Sequence, residues 1–423
     1  MPAAAATDAA DSRYAWMRLA VTLALMTIGS SAMYVVSVVL PAVQAEFGVA
    51  RADASLPYTA LMIGFGVGGV LMGRLADRHG VTVPLLIGAA GLGCGYVGAG
   101  LVGSIEAFAL MHGLLLGLAG CSATFAPLVA DTSLWFVRRR GIAVAICASG
   151  NYLAGSIWPP IVQHFIDSVG WRPTYIGLGL FSAATLPLLA LAMRARPPAA
   201  VAPPPRAGGP VPSTRPFGMS PGQAQALLCV AGVACCVAMS MPQVHIVAYC
   251  TDLGYGAARG AQMLSLMLAF GIASRLISGA ICDRIGGLRT LLLGSALQGL
   301  ALLLFLPFDS LASLFVISAL FGLFQGGIVP AYAIIVREHF PPREAGARVG
   351  AVLTATLLGM ALGGWMSGKV FDLTGSYDAA FVNGIVWNAL NLAIVLWLLW
   401  RVRPRRPDAA SRRGLPGAAS AAG

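Results

Sequence analysis

The chain has 423 residues, 58% of them hydrophobic and 10% charged, with a formal net charge of +11. A soluble protein carries about 25% charged residues, so this composition excludes a water-soluble globular protein and indicates an integral membrane protein. The positive balance is accounted for by membrane topology and gives no reason to expect a nucleic-acid partner.

Residues 1–16 read as a cytoplasmic tail. The first twelve are Ala-rich with Asp8 and Asp11 and lack the basic segment of a cleavable signal, so the first span is expected to remain as an anchor. Six apolar stretches long enough to cross a bilayer follow, near 17–42, 55–76, 81–103, 106–130, 141–166 and 172–194. Residues 195–223, which include RARPPAAVAPPPRAGGPVPSTRPFG, are too rich in Pro and Gly to span and read as a flexible linker. Six more stretches lie near 224–250, 261–282, 288–308, 310–336, 347–371 and 379–401, and a basic tail, read as disordered, occupies 402–423. The predicted fold class is all-α membrane protein: twelve transmembrane helices in two six-helix bundles, 17–194 and 224–401.

With the N-terminus placed in the cytoplasm, twenty-two of the Arg and Lys residues fall on inside segments. Only Arg51, Arg172, Arg259 and Lys369 fall on outside loops. The positive-inside rule then puts both termini and the linker in the cytoplasm of a bacterial inner membrane, with a secondary attraction to anionic lipid heads. The remaining cation is Arg275, inside the apolar run Ala261–Cys282. Asp283 is the first charge after it, about 12 Å along a helix. A charge near the middle of a bilayer costs at least about 2.5–3.5 kcal/mol and marks a site by default. Arg275 is the first candidate for binding an anion. Gly271, Ser278 and Gly279 share its helical face, leaving room for a ligand or for a closely packed helix.

The two halves repeat. Gly73-Arg-Leu-Ala-Asp77-Arg78-His-Gly80 ends the second span, and Gly279-Ala-Ile-Cys-Asp283-Arg284-Ile-Gly286 ends the eighth, 206 positions later. Phe165 matches Phe371, and Tyr175 matches Phe381, at the same offset. Parallel repeats joined by a cytoplasmic loop place a substrate site at the midplane between them. The G-x-L-x-D-R-x-G loops resemble the signature of the major facilitator superfamily. That resemblance covers residues 17–401 and implies its two-bundle fold. It also implies a conformational latch at Asp77, Arg78, Asp283 and Arg284. A carboxylate there can sit on the positive end of a neighbouring helix or pair with Arg.

A narrower set of motifs is similar to the monocarboxylate-porter-like branch. It comprises Trp135-Phe136-Val-Arg138-Arg139-Arg140-Gly141, Gly150-Asn151-Tyr152, Gly170-Trp171-Arg172, Pro242-Gln243-Val-His245, Tyr249-Cys-Thr-Asp252 and Ser274-Arg275-Leu-Ile-Ser278-Gly279. This implies transport of a small organic monocarboxylate, usually with a proton, or oxalate/formate-type anion exchange in bacterial relatives. Arg275 is the natural carboxylate anchor, because its planar fork matches two oxygens. His245, near the outer end of the seventh span, is the candidate proton carrier or second donor. Tyr332, Asn151 and Tyr34 are polar groups inside spans and complete the candidate substrate site, with Tyr152 and Ser30 as further polar groups within spans. Two departures stand out. Gly271 occupies the place of an expected Asp, and Lys369, the sole lysine, lies at the outer end of its span. One intramembrane cation favours a monoanion over a dicarboxylate, and no Asp or Glu lies deep in any span to carry a proton.

No cofactor or metal is expected, because the eight cysteines show no metal-ligand spacing, and no nucleophile elbow or phosphate loop suggests an enzyme. The expected partners are a small organic anion, a proton and membrane lipids, with the chain a monomer. A proton-driven drug or amphiphile exporter and a non-transporting receptor are the competing readings.

Overall fold

A computed structural model describes residues 11–195 and 216–402. The twelve expected spans appear as α1 (Arg13–Phe47), α2 (Arg51–His79), α3 (Thr82–Leu101), α4 (Ile105–Trp135), α5 (Arg140–Val169), α6 (Trp171–Leu191), α7 (Pro221–Asp252), α8 (Ala257–Ile285), α9 (Gly287–Leu304), α10 (Leu311–His339), α11 (Glu344–Thr374) and α12 (Tyr377–Val402). All are long and apolar enough to cross a membrane. The tail through residue 10, residues 196–215 of the expected linker and the tail from 403 lie outside the described residues. The expected linker ended at 223, but Pro216–Gly218 forms a 3₁₀ turn whose Phe217 stacks on His339 at 4.4 Å, and α7 begins at Pro221.

The helices run past the ends of the apolar stretches. This changes the reading of several charges. Arg18 lies inside α1 and is 3% exposed; its Nε and Nη2 donate to Asp131 of α4 at 3.2 and 3.0 Å, and Nη2 also donates to the Met193 carbonyl. Asp131 is itself 7% exposed. Helix α4 therefore holds a buried carboxylate four residues from its end, one position past the apolar stretch read from the sequence. Near the other face, Arg172 donates to Glu46 and to the carbonyls of Gly100 and Val102, and Trp171 Nε1 donates to Glu46. The Gly-Trp-Arg motif thus clamps the start of α6 onto the ends of α1 and α3.

Small residues bring helices together in each half, as expected where lipid gives no hydrophobic drive between them. A Cβ added to Gly64 or Gly68 of α2 would collide with the α4 backbone at Gly113 and Leu118. There α4 widens to a π-helix over Met111–Gly120 and then tightens to 3₁₀ over Cys121–Thr124 before resuming at Ala126. Helix α10 is also interrupted, between Gln325 and Ile328. Positions 120–121 and 326–327 are related by the offset that relates Asp77 to Asp283. Gly80 and Gly286, at the ends of α2 and α8, share φ of 82° and 83° with ψ of 165°. These left-handed turns require glycine.

Candidate substrate site

The two halves meet where α1 packs on α7 and along two seams, α2 against α11 and α5 against α8. The α2–α11 seam is closed from the face opposite the Gly80 and Gly286 turns. Arg51 and Ala52 lie against Asp372 and Gly368, Tyr58 against Gly364, and Thr59 Oγ1 donates to the Ala361 carbonyl at 2.9 Å. The last contact is Gly66, where a Cβ would lie 3.4 Å from Leu357 Cδ1. Gly73 and Gly350 occupy the same helical faces two turns nearer the motif loops, and a Cβ at either meets nothing within 4 Å.

The α5–α8 seam behaves the same way. Ser265 Oγ donates to the Ser156 carbonyl, the Leu268 side chain fills the space at Gly155, and the Tyr152 ring lies on Gly271. Arg275 then reaches across: its Nη1 donates to the Ala148 carbonyl at 2.9 Å, and its Cζ sits 4.4 Å over the Tyr152 ring. One turn further, Gly279 has open space, as does Gly141, two turns from Ala148 on α5. The halves are therefore splayed toward the motif loops, and Arg275 is the last cross-link before the opening. It is half-buried, forms no ion pair with any described acid, and leaves its Nε buried without a partner. The room that Gly271 and Gly279 leave on this face differs: an aromatic ring fills the first, and the second stands open.

Tyr34 and Asn151 stand beside this cross-link. The Tyr34 hydroxyl donates to Asn151 Oδ1 at 2.7 Å, Asn151 Nδ2 donates to the Met33 sulfur, and the Tyr34 ring lies against Gly155 with Leu268. The structure thus brings Arg275, Tyr152, Asn151 and Tyr34 together where α1, α5 and α8 meet.

The other two candidates lie elsewhere. Tyr332 is fully buried in the second half. Its hydroxyl donates to Asn391 Oδ1 at 3.0 Å, and Asn391 in turn donates to Ser295. This network, with Gln298 and Asn388, ties α9, α10 and α12 to α7. Tyr332→Phe is expected to strand the Asn391 carbonyl and cost about 1–3 kcal/mol of stability, leaving solute affinity unchanged. Thermal unfolding and ligand titration of the purified variant check this. His245 is fully buried in the closed part of the molecule. Its Nε2 lies 2.8 Å from the Gly364 carbonyl. A carbonyl only accepts, so Nε2 carries hydrogen, and Nδ1 is left buried with no partner. Tyr377 is its ring neighbour at 6.0 Å.

Sequence reading passed over an amide pair at mid-helix. Gln243 of α7 donates to Gln325 of α10 at 2.9 Å, and Gln325 Nε2 has no partner. Gly326, the next residue, lies against the Gly271 carbonyl and Ser274, whose buried hydroxyl is also unpaired. Amides inside apolar spans were the available signal. Asp77, Arg78, Asp283 and Arg284 are exposed, and no ion pair or hydrogen bond joins any of them to another side chain among the described residues.

The family model described as Major Facilitator Superfamily matches the chain over residues 20–311 and 277–422. Monocarboxylate transporter 13 of Rattus norvegicus is 27% identical over 339 residues, covering 78% of this chain and 75% of that protein. The agnestins efflux protein AgnL12 of Paecilomyces divaricatus is 24% identical over 338 residues, covering 79% and 74%. Among solved structures, a bacterial homologue of the human lysosomal transporter Spinster, in an inward-facing and occupied conformation, superposes with a TM-score of 0.65 at 17% identity, covering 92% of this chain and 96% of that one. These relatives are transporters, not enzymes.

Proposed function

The chain belongs to the major facilitator superfamily, and from that premise we propose that it moves a small organic monocarboxylate across a bacterial cytoplasmic membrane by alternating access. The observation that carries the reading is Arg275: an intramembrane cation that pairs with no acid among the described residues, at the point where the α5–α8 seam parts, held there by a carbonyl and an aromatic ring. A carboxylate offers that guanidinium two hydrogen bonds to a charged acceptor in place of one to a neutral carbonyl. Tyr152, Asn151 and Tyr34 line the approach from α5 and α1. The similarity to a monocarboxylate transporter supports the same solute class. The excess of arginine on the motif side argues that this face, with both termini, is cytoplasmic. The splayed conformation is then inward-open.

His245 is the candidate proton carrier. Its Nδ1 is an unpaired acceptor sealed within the closed face, so a proton arriving from outside reaches it only when that face parts. The test is uptake of labelled lactate, pyruvate and acetate into proteoliposomes with and without an inward proton gradient. Saturable uptake, stimulated by the gradient and competed by monocarboxylates more than by dicarboxylates, is expected. If none of these acids is taken up or raises the thermal stability of the purified protein, the assignment is refuted. Gradient-independent uptake that requires preloaded anion would indicate an oxalate/formate-type exchanger instead. The resemblance to a fungal efflux protein favours export of an amphiphile as the second reading, and a drug-susceptibility screen of a deletion strain separates it.

A further inference from the structure

Arg51 lies on the face opposite the motif loops and was expected in a loop. It is instead 7% exposed, at the first turn of α2. The hydrogen bonds of its side chain run to the other half of the protein. Nη2 donates to Asp252 of α7 at 3.0 and 3.3 Å, and Nη1 donates to the Tyr377 hydroxyl of α12. The guanidinium carbon lies 4.8 Å over the Phe371 ring of α11. The backbone of the same turn is held as well: Asp372 of α11 accepts the Arg51 and Ala52 N–H groups, one on each carboxylate oxygen, both at 2.8 Å. A carboxylate on the first amides of a helix meets both unsatisfied donors and the positive end of the helix dipole. Beneath this cluster a Cβ on Gly368 would lie 3.0 Å from Ala52 Cα, so the backbones touch.

The cluster is complete while the motif-face charges are unengaged. Asp77 and Asp283 have no side-chain partner among the described residues, and the seams are open beside them. One face is joined by four helices converging on one arginine, and the other is parted. Among the contacts that span the halves on the closed face, the charged ones are thus reversible and gather at the first turn of α2, around Arg51.

We propose that Arg51 is a positioning residue for the transport cycle, the pin of a gate on this face that holds the opposite vestibule open. Asp252, Tyr377 and the α2 amides capped by Asp372 are its seats. Arg51 touches no solute. It acts by setting the population of the state in which this face is closed. The proposal rests on the transporter reading but not on the identity of the solute, and its test uses none.

The test is double electron–electron resonance on spin labels at Gly103→Cys and Asp309→Cys. These are exposed loop positions in opposite halves on the gate face. Cys94, the exposed native cysteine, is replaced by Ser. In detergent without solute, a single short distance is expected for the parent protein. Arg51→Gln is expected to raise the long-distance population about tenfold, since it removes charge-assisted bonds present in only one state. Arg51→Lys, which keeps the charge near Asp252, should restore part of the short population. A purely structural arginine would shift the melting temperature without moving this ratio. If Arg51→Gln does not fold, Asp252→Asn, at the more exposed end of the pair, is read the same way. An unchanged distance distribution in a folded Arg51→Gln or Asp252→Asn protein overturns the proposal. A monocarboxylate that fails to bind leaves it intact.

Discussion

Arg275→Ala is expected to lower affinity for monocarboxylates at least about a hundredfold. Two charge-assisted hydrogen bonds to a carboxylate are worth about 1.5–3 kcal/mol each. In this structure the guanidinium spends one donor on the Ala148 carbonyl and leaves its buried Nε unused, so a carboxylate would gain more than it displaces. Arg275→Lys retains the charge and loses the fork. Its affinity should fall about tenfold, between parent and alanine variant. The readout is calorimetric or thermal-shift affinity as well as uptake, because Arg275 also bridges α5 and α8 and its loss could slow transport without touching binding. Alanine and parent proteins that bind the same acids equally well would remove Arg275 from the site.

Asp131→Ala is expected to be among the most destabilising single changes in the protein, at about 3–5 kcal/mol. The side chains of Arg18 and Asp131 are 3% and 8% exposed and pair at 3.0 Å. Arg18 Nη1 already lacks a partner, and Trp135 covers the guanidinium at 4.7 Å. Removing the carboxylate leaves a cation sealed in protein with only the Met193 carbonyl to face. Replacing both residues, as Arg18→Met with Asp131→Leu, should recover most of that loss, because a buried ion pair and an apolar pair of similar volume differ little. Urea titration of the three proteins in detergent measures the loss and its recovery. A neutral Asp131→Ala would show that water reaches the pair.

These buried charges also show where the sequence could and could not be read. Long apolar stretches are read by length alone, and α1 to α12 fall where those stretches lie. Arg275 was legible for the same reason: a charge far from both ends of a stretch has few explanations. Arg18, Arg51 and Asp131 were not, since each lies near the first charge that ends an apolar run. A hydropathy reading stops there, while the helix continues for another turn and another helix covers the side chain. Depth along a helix was readable; direction around it was not. His245, Tyr332 and Arg275 are all polar groups well inside spans, yet tertiary packing turns His245 toward Gly364, Tyr332 toward Asn391 and Arg275 toward the other half. The latch residues illustrate a third limit. Asp77 and Asp283 are recognisable from their loop pattern, but which of two faces is closed is a property of conformation. The physics expected of those carboxylates, an acid seated on a foreign helix end, is found at Asp372 instead.

The fourth helix of each half is broken at the same place, although the residues differ: Gly120-Cys121-Ser122 in one and Gly326-Gly327-Ile328 in the other. The two interruptions coincide in register but differ in form, a π-helix passing into 3₁₀ in α4 and a two-residue turn in α10, so what the halves share is where the helix yields and not how it does so.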